Sequence, residues 1–321
     1  MSRSVSYKTK QFFFVLIKLS IVVGAFYFIY QKLTKNEHLS LSHFNLILIE
    51  NHVFSLKNIS LLLFFTILNW FFEILKWQKL TSIVAKNSFI KSMEQSLGAL
   101  TASLFTPNRI GEYGAKAIYF QYGIRKKIML LNLVGNIAQM TVTTIFGLLG
   151  FLAFYTNYNP KINPYKLFTA FGIMVFILAF YRIFQKKMSI EIKGFTISKI
   201  VSFIKRISLK IKLQVLGLSI LRYLIFSFQF WLLLLLFKIN FSYLEAMIFI
   251  TSMYLMSSII PSIFFFDVVV KGSIAVYLFS FAGVDQLIVL SIITIMWLLN
   301  FVIPSVFGSY YVLNFNLKTS G

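Results

Sequence analysis

Long apolar runs separated by short basic loops constrain this chain more than any other feature of its sequence. Charged residues make up only 12% of the 321 residues, against about 25% in a soluble domain. A helix needs ~20 apolar residues to cross ~30 Å of hydrocarbon. Six runs approach or exceed that length: Phe12–Tyr30, Ile59–Leu75, Ile128–Phe154, Tyr165–Phe184, Leu213–Phe237 and Leu287–Leu313. The sequence therefore predicts an all-α, polytopic helical membrane protein, with residues 1–321 as a single integral membrane domain.

A first broken region follows the second run. Ser96–Phe105 is only ten residues long before a Thr-Pro-Asn-Arg segment interrupts it, and the following Ile110–Tyr122 carries Glu112 and Lys116. Neither half alone is long enough to cross the bilayer. We predict a re-entrant helical hairpin that enters the membrane, turns at Pro107 and leaves on the same side.

A second broken region covers Ala246–Gly283, where Pro261 interrupts an apolar stretch and Asp267 and Lys271 follow. We predict a second re-entrant hairpin here; the alternative is two full spans, which would make eight. In both regions a carboxylate and then a lysine follow the proline at similar spacing. Weak similarity between segments of opposite orientation is typical of an inverted repeat.

The basic residues predict the orientation of the chain. With six full spans, the N-terminus, the loops 76–95, 123–127 and 185–212 and the C-terminus share one side and hold nineteen Lys and Arg. The opposite loops hold six. Cytoplasmic loops concentrate Lys and Arg, so we predict a multi-pass protein of the cell (plasma) membrane with both termini in the cytoplasm.

The basic cytoplasmic loop 185–212 accounts for eight of those residues, with Ile and Phe interleaved. We interpret it as an interfacial stretch held against anionic lipid headgroups. The alternative is docking of an acidic partner or of nucleic acid. The loop lacks the aromatic spacing of an RNA-binding module, so no nucleic-acid partner is expected.

The strongest local signal is the segment from Thr106 to Lys116. Gly111 and Gly114 predict a helical face that another backbone approaches closely, and Glu112 and Lys116 are spaced for an intrahelical ion pair. Two interpretations remain open. In the first, Glu112 and Lys116 neutralise each other so that the hairpin can be inserted. In the second, Arg109, whose planar fork suits phosphate, lines with Lys116 a polar cavity for an anionic lipid headgroup.

Other ionisable residues within the apolar runs are functional candidates by default. Glu73 lies near the end of its run beside Lys76, where anchoring at the interface is at least as well supported as function. Lys18 and Arg222 lie close enough to a boundary to snorkel.

The sequence lacks motifs for binding nucleotides, dinucleotides or metal ions. The sequence has no phosphate-binding Gly-Lys-Ser/Thr loop and no dinucleotide fingerprint, so we expect no ATP-driven transport by this chain and no cofactor. The three histidines all fall in the outer loop 31–58, and we expect no metal site.

Pro107-Asn108-Arg109-Ile110-Gly111-Glu112, followed by Ala115-Lys116-Ala117, resembles the Pro-Gly-Arg-x-Gly-Glu motif of the lysylphosphatidylglycerol synthase transmembrane-region, or flippase-like, family. Lys76-Trp77 resembles that family's Arg-Trp pair. The chain departs from the family pattern at Asn108, where glycine is usual, and in the second broken region, which lacks the usual glycines.

The resemblance implies translocation of phospholipids or polyprenyl-linked lipids, with a separate partner enzyme left open. It does not imply synthase activity, since no soluble aminoacyl-transfer domain follows, and we expect no enzyme. The alternatives are an intramembrane transferase acting on a lipid-linked substrate and a structural membrane subunit. The expected substrate-binding residues are Pro107, Arg109, Gly111, Glu112, Lys116, Asp267 and Lys271.

Overall fold

The computed structural model describes residues 55–104, 106, 109–160, 191–192, 195–259 and 267–315. The predicted spans Phe12–Tyr30 and Tyr165–Phe184 lie outside these residues, as do Pro107 and Pro261. Within them the regular secondary structure is helical except for a small hairpin of β1 (Glu191–Ile192) and β2 (Phe195–Thr196).

The helices differ widely in length, from 7 to 34 residues. In chain order they are α1 (Leu56–Thr81), α2 (Phe89–Ser103), α3 (Gly111–Ala117), α4 (Arg125–Tyr158), α5 (Ile197–Arg206), α6 (Leu209–Leu236), α7 (Tyr243–Ile259), α8 (Asp267–Ser280), α9 (Gln286–Trp297) and α10 (Ile303–Asn314). A 3₁₀ turn, Tyr122–Ile124, precedes α4, and a π-helical segment, Leu298–Val302, joins α9 to α10.

Four helices are long and apolar enough to cross a membrane. They are α1, α4 with its preceding turn, α6 and the continuous helix Gln286–Asn314, with 26 to 37 residues and a mean hydropathy of 1.7 to 2.4. They contain four of the predicted spans, so the prediction of a helical protein with membrane-length helices is confirmed over these residues. Polar caps fix three of their starts: the side chains of Ser55, Ser208 and Asp285 accept hydrogen bonds from backbone N–H groups in the first turn.

The bundle has one basic end and one aromatic end. The last turn of α1, the first turns of α4 and α6, and α5 pack together around Trp77, Leu80 and Ile128 at the basic end. Phe154, Phe249 and the neighbouring aromatic side chains fill the other end. Together with residues 82–92, which lead from α1 into α2, the segments at the basic end carry eleven Lys and Arg; the described residues at the aromatic end carry Lys57 and Lys238.

The helix α5 forms part of the predicted basic loop 185–212. Its apolar side chains, Phe203 and Ile204, pack against the Trp77 cluster, while Lys199, Lys205 and Arg206 are exposed. The last four residues of the predicted loop belong instead to α6, because Ser208 caps that helix one residue before Leu209.

The broken regions form shorter helices. At 1.5 Å per residue, the 15 residues of α2 and the 7 of α3 extend ~22 Å and ~10 Å, less than the hydrocarbon thickness. The chain leaves the basic end in α2 and returns to it after α3, since Ala117 and Phe120 pack there with the start of α4. The helices α7 and α8, with 17 and 14 residues, are also short.

The order long, short, short, long occurs twice, in α1–α4 and in α6–α10. The first short helix of each set packs on a long helix of the other set: α2 packs on α10, which is part of the continuous helix Gln286–Asn314, and α7 packs on α4. The helices α1 and α6 lie along each other. Gly308 allows the first contact, because an added Cβ would collide with the carbonyl oxygen of Leu97 and the side chain of Thr101. Leu97 and Thr101 are the ninth and thirteenth residues of α2.

The contact between α4 and α7 also depends on a glycine of the long helix. A Cβ at Gly147 would collide with the side chain of Leu255 and press on the carbonyl oxygen of Thr251. These are the thirteenth and ninth residues of α7. Gly147 is the twenty-third residue of α4, and Gly308 is the twenty-third counted from Gln286. The two contacts therefore occupy equivalent places in the two sets.

Both glycines should be required for stability. We expect Gly147→Ala and Gly308→Ala each to lower the free energy of unfolding by about 1–3 kcal/mol, because the added methyl groups meet packed helices. Gly217→Ala in α6 is the control, since nothing lies within 4 Å of a Cβ there. Thermal unfolding of the purified protein in detergent measures the effect. Equal melting temperatures for all three variants would contradict the close packing.

Candidate functional site

The turn between α2 and α3 holds Arg109 in an unusual backbone conformation. Its φ of 56° lies in the left-handed region, which costs a non-glycine residue roughly 1–2 kcal/mol. Thr106 stabilises the turn: its carbonyl oxygen accepts from the Arg109 N–H at 3.1 Å, and its hydroxyl accepts from the Gly111 N–H at 2.8 Å. Strain of this kind at a non-glycine residue is typical of functional sites.

The two glycines of this segment have different surroundings. A Cβ on Gly111 would come within 3 Å of the Thr106 side chain, so glycine is needed there. Gly114 has nothing within 4 Å of a Cβ position. Among the described residues, therefore, no helix closely approaches Gly114, and the prediction that Gly111 and Gly114 together form a face approached by another helix is wrong for Gly114 over this part of the chain.

Glu112 lies between two cations. One carboxylate oxygen is 3.0 Å from Arg109 Nη2 and the other is 2.7 Å from Lys116 Nζ. Lys116 also donates to Asn132 Oδ1 at 2.9 Å and lies 4.2 Å from the ring centre of Trp77. Only 2% of the Lys116 side chain is exposed. Lys116 is therefore enclosed by its partners, as the neutralising interpretation predicts.

Arg109 is the accessible member of this group. Its side chain is 32% exposed. Its Nε is buried and makes no hydrogen bond to the part of the chain that the structure describes. The guanidinium carbon lies 5.5 Å from the ring centre of Phe301, in the π-helical segment. The geometry leaves Arg109 able to contact a further polar group.

Phe301 also faces the second broken region. Lys271 Nζ in α8 lies 5.9 Å from the same ring centre. Cations from both broken regions therefore meet at one aromatic ring. Of the other expected site residues, Pro107 lies outside the described residues, and Asp267 is the first residue of α8.

Glu73 forms a second ion-pair group that the sequence did not predict as a site. Its carboxylate is 2.7 Å from Lys76 Nζ and 3.0 Å from Arg222 Nη1. Arg222 lies at the middle of α6 and does not snorkel to a boundary; its Nε donates to Asn69 Oδ1 at 3.1 Å. Lys76, which the sequence placed in a loop, is buried within α1.

Amide side chains extend this group through the centre of the bundle. Asn69 Nδ2 donates to Asn300 Oδ1 at 2.8 Å, and Asn300 Nδ2 donates to Gln229 Oε1 at 2.9 Å. Gln229 donates to Thr66 Oγ1 at 2.9 Å. Arg222 Nη1 contacts Gln139 Oε1 at 3.4 Å. All four long helices therefore share one polar network.

A sequence signal for this network exists. Polar residues spaced three and four apart within an apolar run share one helix face. Such stripes are Thr66, Asn69, Glu73 and Lys76 in α1, and Asn132, Asn136 and Gln139 in α4.

The described residues contain no group of three or more His, Cys, Asp or Glu arranged to hold a metal ion. Comparison with protein-family models, with curated proteins and with solved structures gives no match to this chain. The chemistry that the site offers is electrostatic: four cations share two carboxylates in the interior of the bundle.

Loss of Glu112 should be more harmful than loss of both Glu112 and Lys116. Glu112→Gln leaves a buried ammonium without its counter-ion, which costs about 3 kcal/mol or more. The double variant with Lys116→Gln removes that charge and should recover most of the loss. Fluorescence-detected size exclusion at increasing temperature measures the folded fraction.

Glu245→Gln, at the start of α7, is the matched control for removing a carboxylate, and we expect it to behave as wild type. A Glu112→Gln variant as stable as this control would show that the ion pair does not stabilise the hairpin. A double variant less stable than Glu112→Gln would show the same.

Proposed function

We propose that this protein translocates a lipid with an anionic or lipid-linked headgroup across the membrane, without ATP hydrolysis by this chain. One observation carries the proposal: Arg109 and Lys271, from the two broken regions, face the same ring of Phe301. Binding sites formed by discontinuous helices near the middle of the membrane are typical of transporters. The motif resemblance to the flippase-like family supports the same function.

We further propose that α1–α4 and α6–α10 form an inverted repeat with two re-entrant hairpins. The polar network supports this arrangement. Asn69 and Arg222 are each the fourteenth residue of their helix, and they hydrogen-bond to each other. Gln139 and Asn300 are each the fifteenth residue from the start of theirs, and each accepts from one of that pair. Contacts between equivalent residues are expected along a two-fold axis.

Such an arrangement provides a mechanism for alternating access. Each set holds a short helix of the other, through the equivalent glycine contacts at Gly147 and Gly308. A rocking of one set against the other would expose the ring of Phe301 first to one side and then to the other. Glu112 holds Arg109 in place during the exchange.

The orientation is proposed from the charges at the two ends of the bundle. Among the residues that the structure describes, eleven Lys and Arg lie at the basic end, counted with residues 82–92, and two at the aromatic end. The concentration of Lys and Arg in cytoplasmic loops supports a plasma-membrane protein with the basic end, and both termini, in the cytoplasm. The exposed cations of α5 would then contact anionic headgroups.

Transport should depend on Arg109. The assay uses purified protein in liposomes that contain a fluorescent anionic phospholipid, with dithionite added outside to quench the fluorescence of lipids in the outer leaflet. We expect the protein to move lipids from the inner to the outer leaflet, so that their fluorescence is lost as well. Arg109→Gly should fold normally, because glycine tolerates the left-handed backbone, and should lose at least tenfold in rate. Lys238→Gly is the matched control, since Lys238 has a φ of 61° but lies at the aromatic end.

Transport by Arg109→Gly at the rate of Lys238→Gly would exclude the proposed site. Inactive wild-type protein that is correctly folded would exclude translocation, and would leave the intramembrane transferase and the structural subunit as the functions to test.

The orientation is tested by labelling, since the chain has no cysteine. Single cysteines at Lys126 and Ser198, both exposed at the basic end, should be protected from an impermeant thiol reagent outside intact cells. A cysteine at Asn157, exposed near the end of α4, should react. The reverse pattern would invert the orientation.

A further inference from the structure

The two ion-pair groups hold more positive than negative charge. Arg109 and Lys116 share Glu112, and Lys76 and Arg222 share Glu73. Trp77, whose ring lies against Lys116, directly follows Lys76 in α1. The two groups are therefore neighbours, and together they carry two positive charges in excess.

The neighbouring residues that the structure describes leave this excess unchanged. Asn132, Asn69 and Gln139, which accept hydrogen bonds from the cations, carry no charge. The sequence of α8 has one acidic residue, Asp267, and one basic residue, Lys271, so this helix adds no net charge. An uncompensated charge inside a membrane is costly, so a ligand that brings two negative charges would neutralise the interior.

We propose that the site selects a lipid headgroup with two negative charges, either a phosphate monoester or a pyrophosphate, over a monoanionic phosphodiester or a zwitterion. This inference rests on the proposed translocation and names its substrate class. The geometry of Arg109 is suited to binding such a headgroup. Its Nη2 contacts Glu112, and its buried Nε remains a donor without a partner among the described residues. An Arg fork binds phosphate through two parallel N–H groups.

The test compares three fluorescent lipids in the same liposomes at about pH 8, where a phosphate monoester is close to dianionic because its second pKa is ≈ 6. We expect phosphatidic acid to move about tenfold faster than phosphatidylglycerol, and phosphatidylcholine to move slowest. Equal rates for the three lipids would overturn the substrate class but leave translocation standing. Movement of none would overturn the proposed function itself.

Charge variants show whether the selectivity between lipids depends on the net charge of the two ion-pair groups or on individual contacts of Arg222. Arg222→Gln reduces the excess to one positive charge and should lower the preference for phosphatidic acid over phosphatidylglycerol about tenfold. The double variant Glu73→Gln with Arg222→Gln loses the Glu73–Lys76 ion pair as well but restores the excess of two, so the protein that folds correctly should recover the preference. A double variant with the selectivity of Arg222→Gln would overturn the charge-balance argument. Lys238→Gln, at the aromatic end, is the control for overall charge.

Free inorganic phosphate also carries two negative charges at this pH and is therefore the other ligand that the site could bind. Inorganic phosphate, added at the bulk concentration of the lipid phosphate, should leave the movement of phosphatidic acid unchanged. If it instead lowers that movement to the rate of phosphatidylglycerol, the site takes free phosphate and the assignment to a lipid headgroup is wrong.

Discussion

The sharing of two buried carboxylates among four cations is the interaction on which this structure depends. Glu112 joins the turn of the first broken region to α3, and Glu73 joins α1 to α6. In hydrocarbon, water does not replace a missing partner, so each buried charge depends on the groups around it. Glu73 and Arg222 hold α1 and α6 in one register, because sliding of one helix past the other would break this ion pair and the hydrogen bond between Arg222 and Asn69 as well as apolar contacts.

Close packing of helices complements the polar network. Apolar side chains have no reason to prefer each other over lipid tails, so association of membrane helices depends on close contact and hydrogen bonds. Gly147 and Gly308 provide the close contact at equivalent places, and Asn69 with Asn300 provides hydrogen bonding at the centre. Both devices join one set of helices to the other, and the proposed binding site lies at the interface between the two sets.

The ring of Phe301 lies at the meeting point of these elements. It belongs to the π-helical segment Leu298–Val302, and such segments are frequent at functional sites. The preceding residue, Asn300, belongs to the central amide network, while Phe301 faces Arg109 and Lys271. Two adjacent residues therefore connect the ion pairs at the middle of the bundle to the exposed guanidinium.

The sequence by itself determined four of the long helices and the charge asymmetry, and it singled out the Arg109–Lys116 segment as a candidate site, because apolar runs, loop charges and a proline break are local signals. Only the tertiary structure decided that Lys116 is enclosed and Arg109 accessible, that Arg222 pairs with Glu73, and that no described residue packs closely on Gly114. Spacing along a helix shows which residues share a face. It does not show what that face meets, since partners such as Asn300 lie more than 200 residues away in the chain.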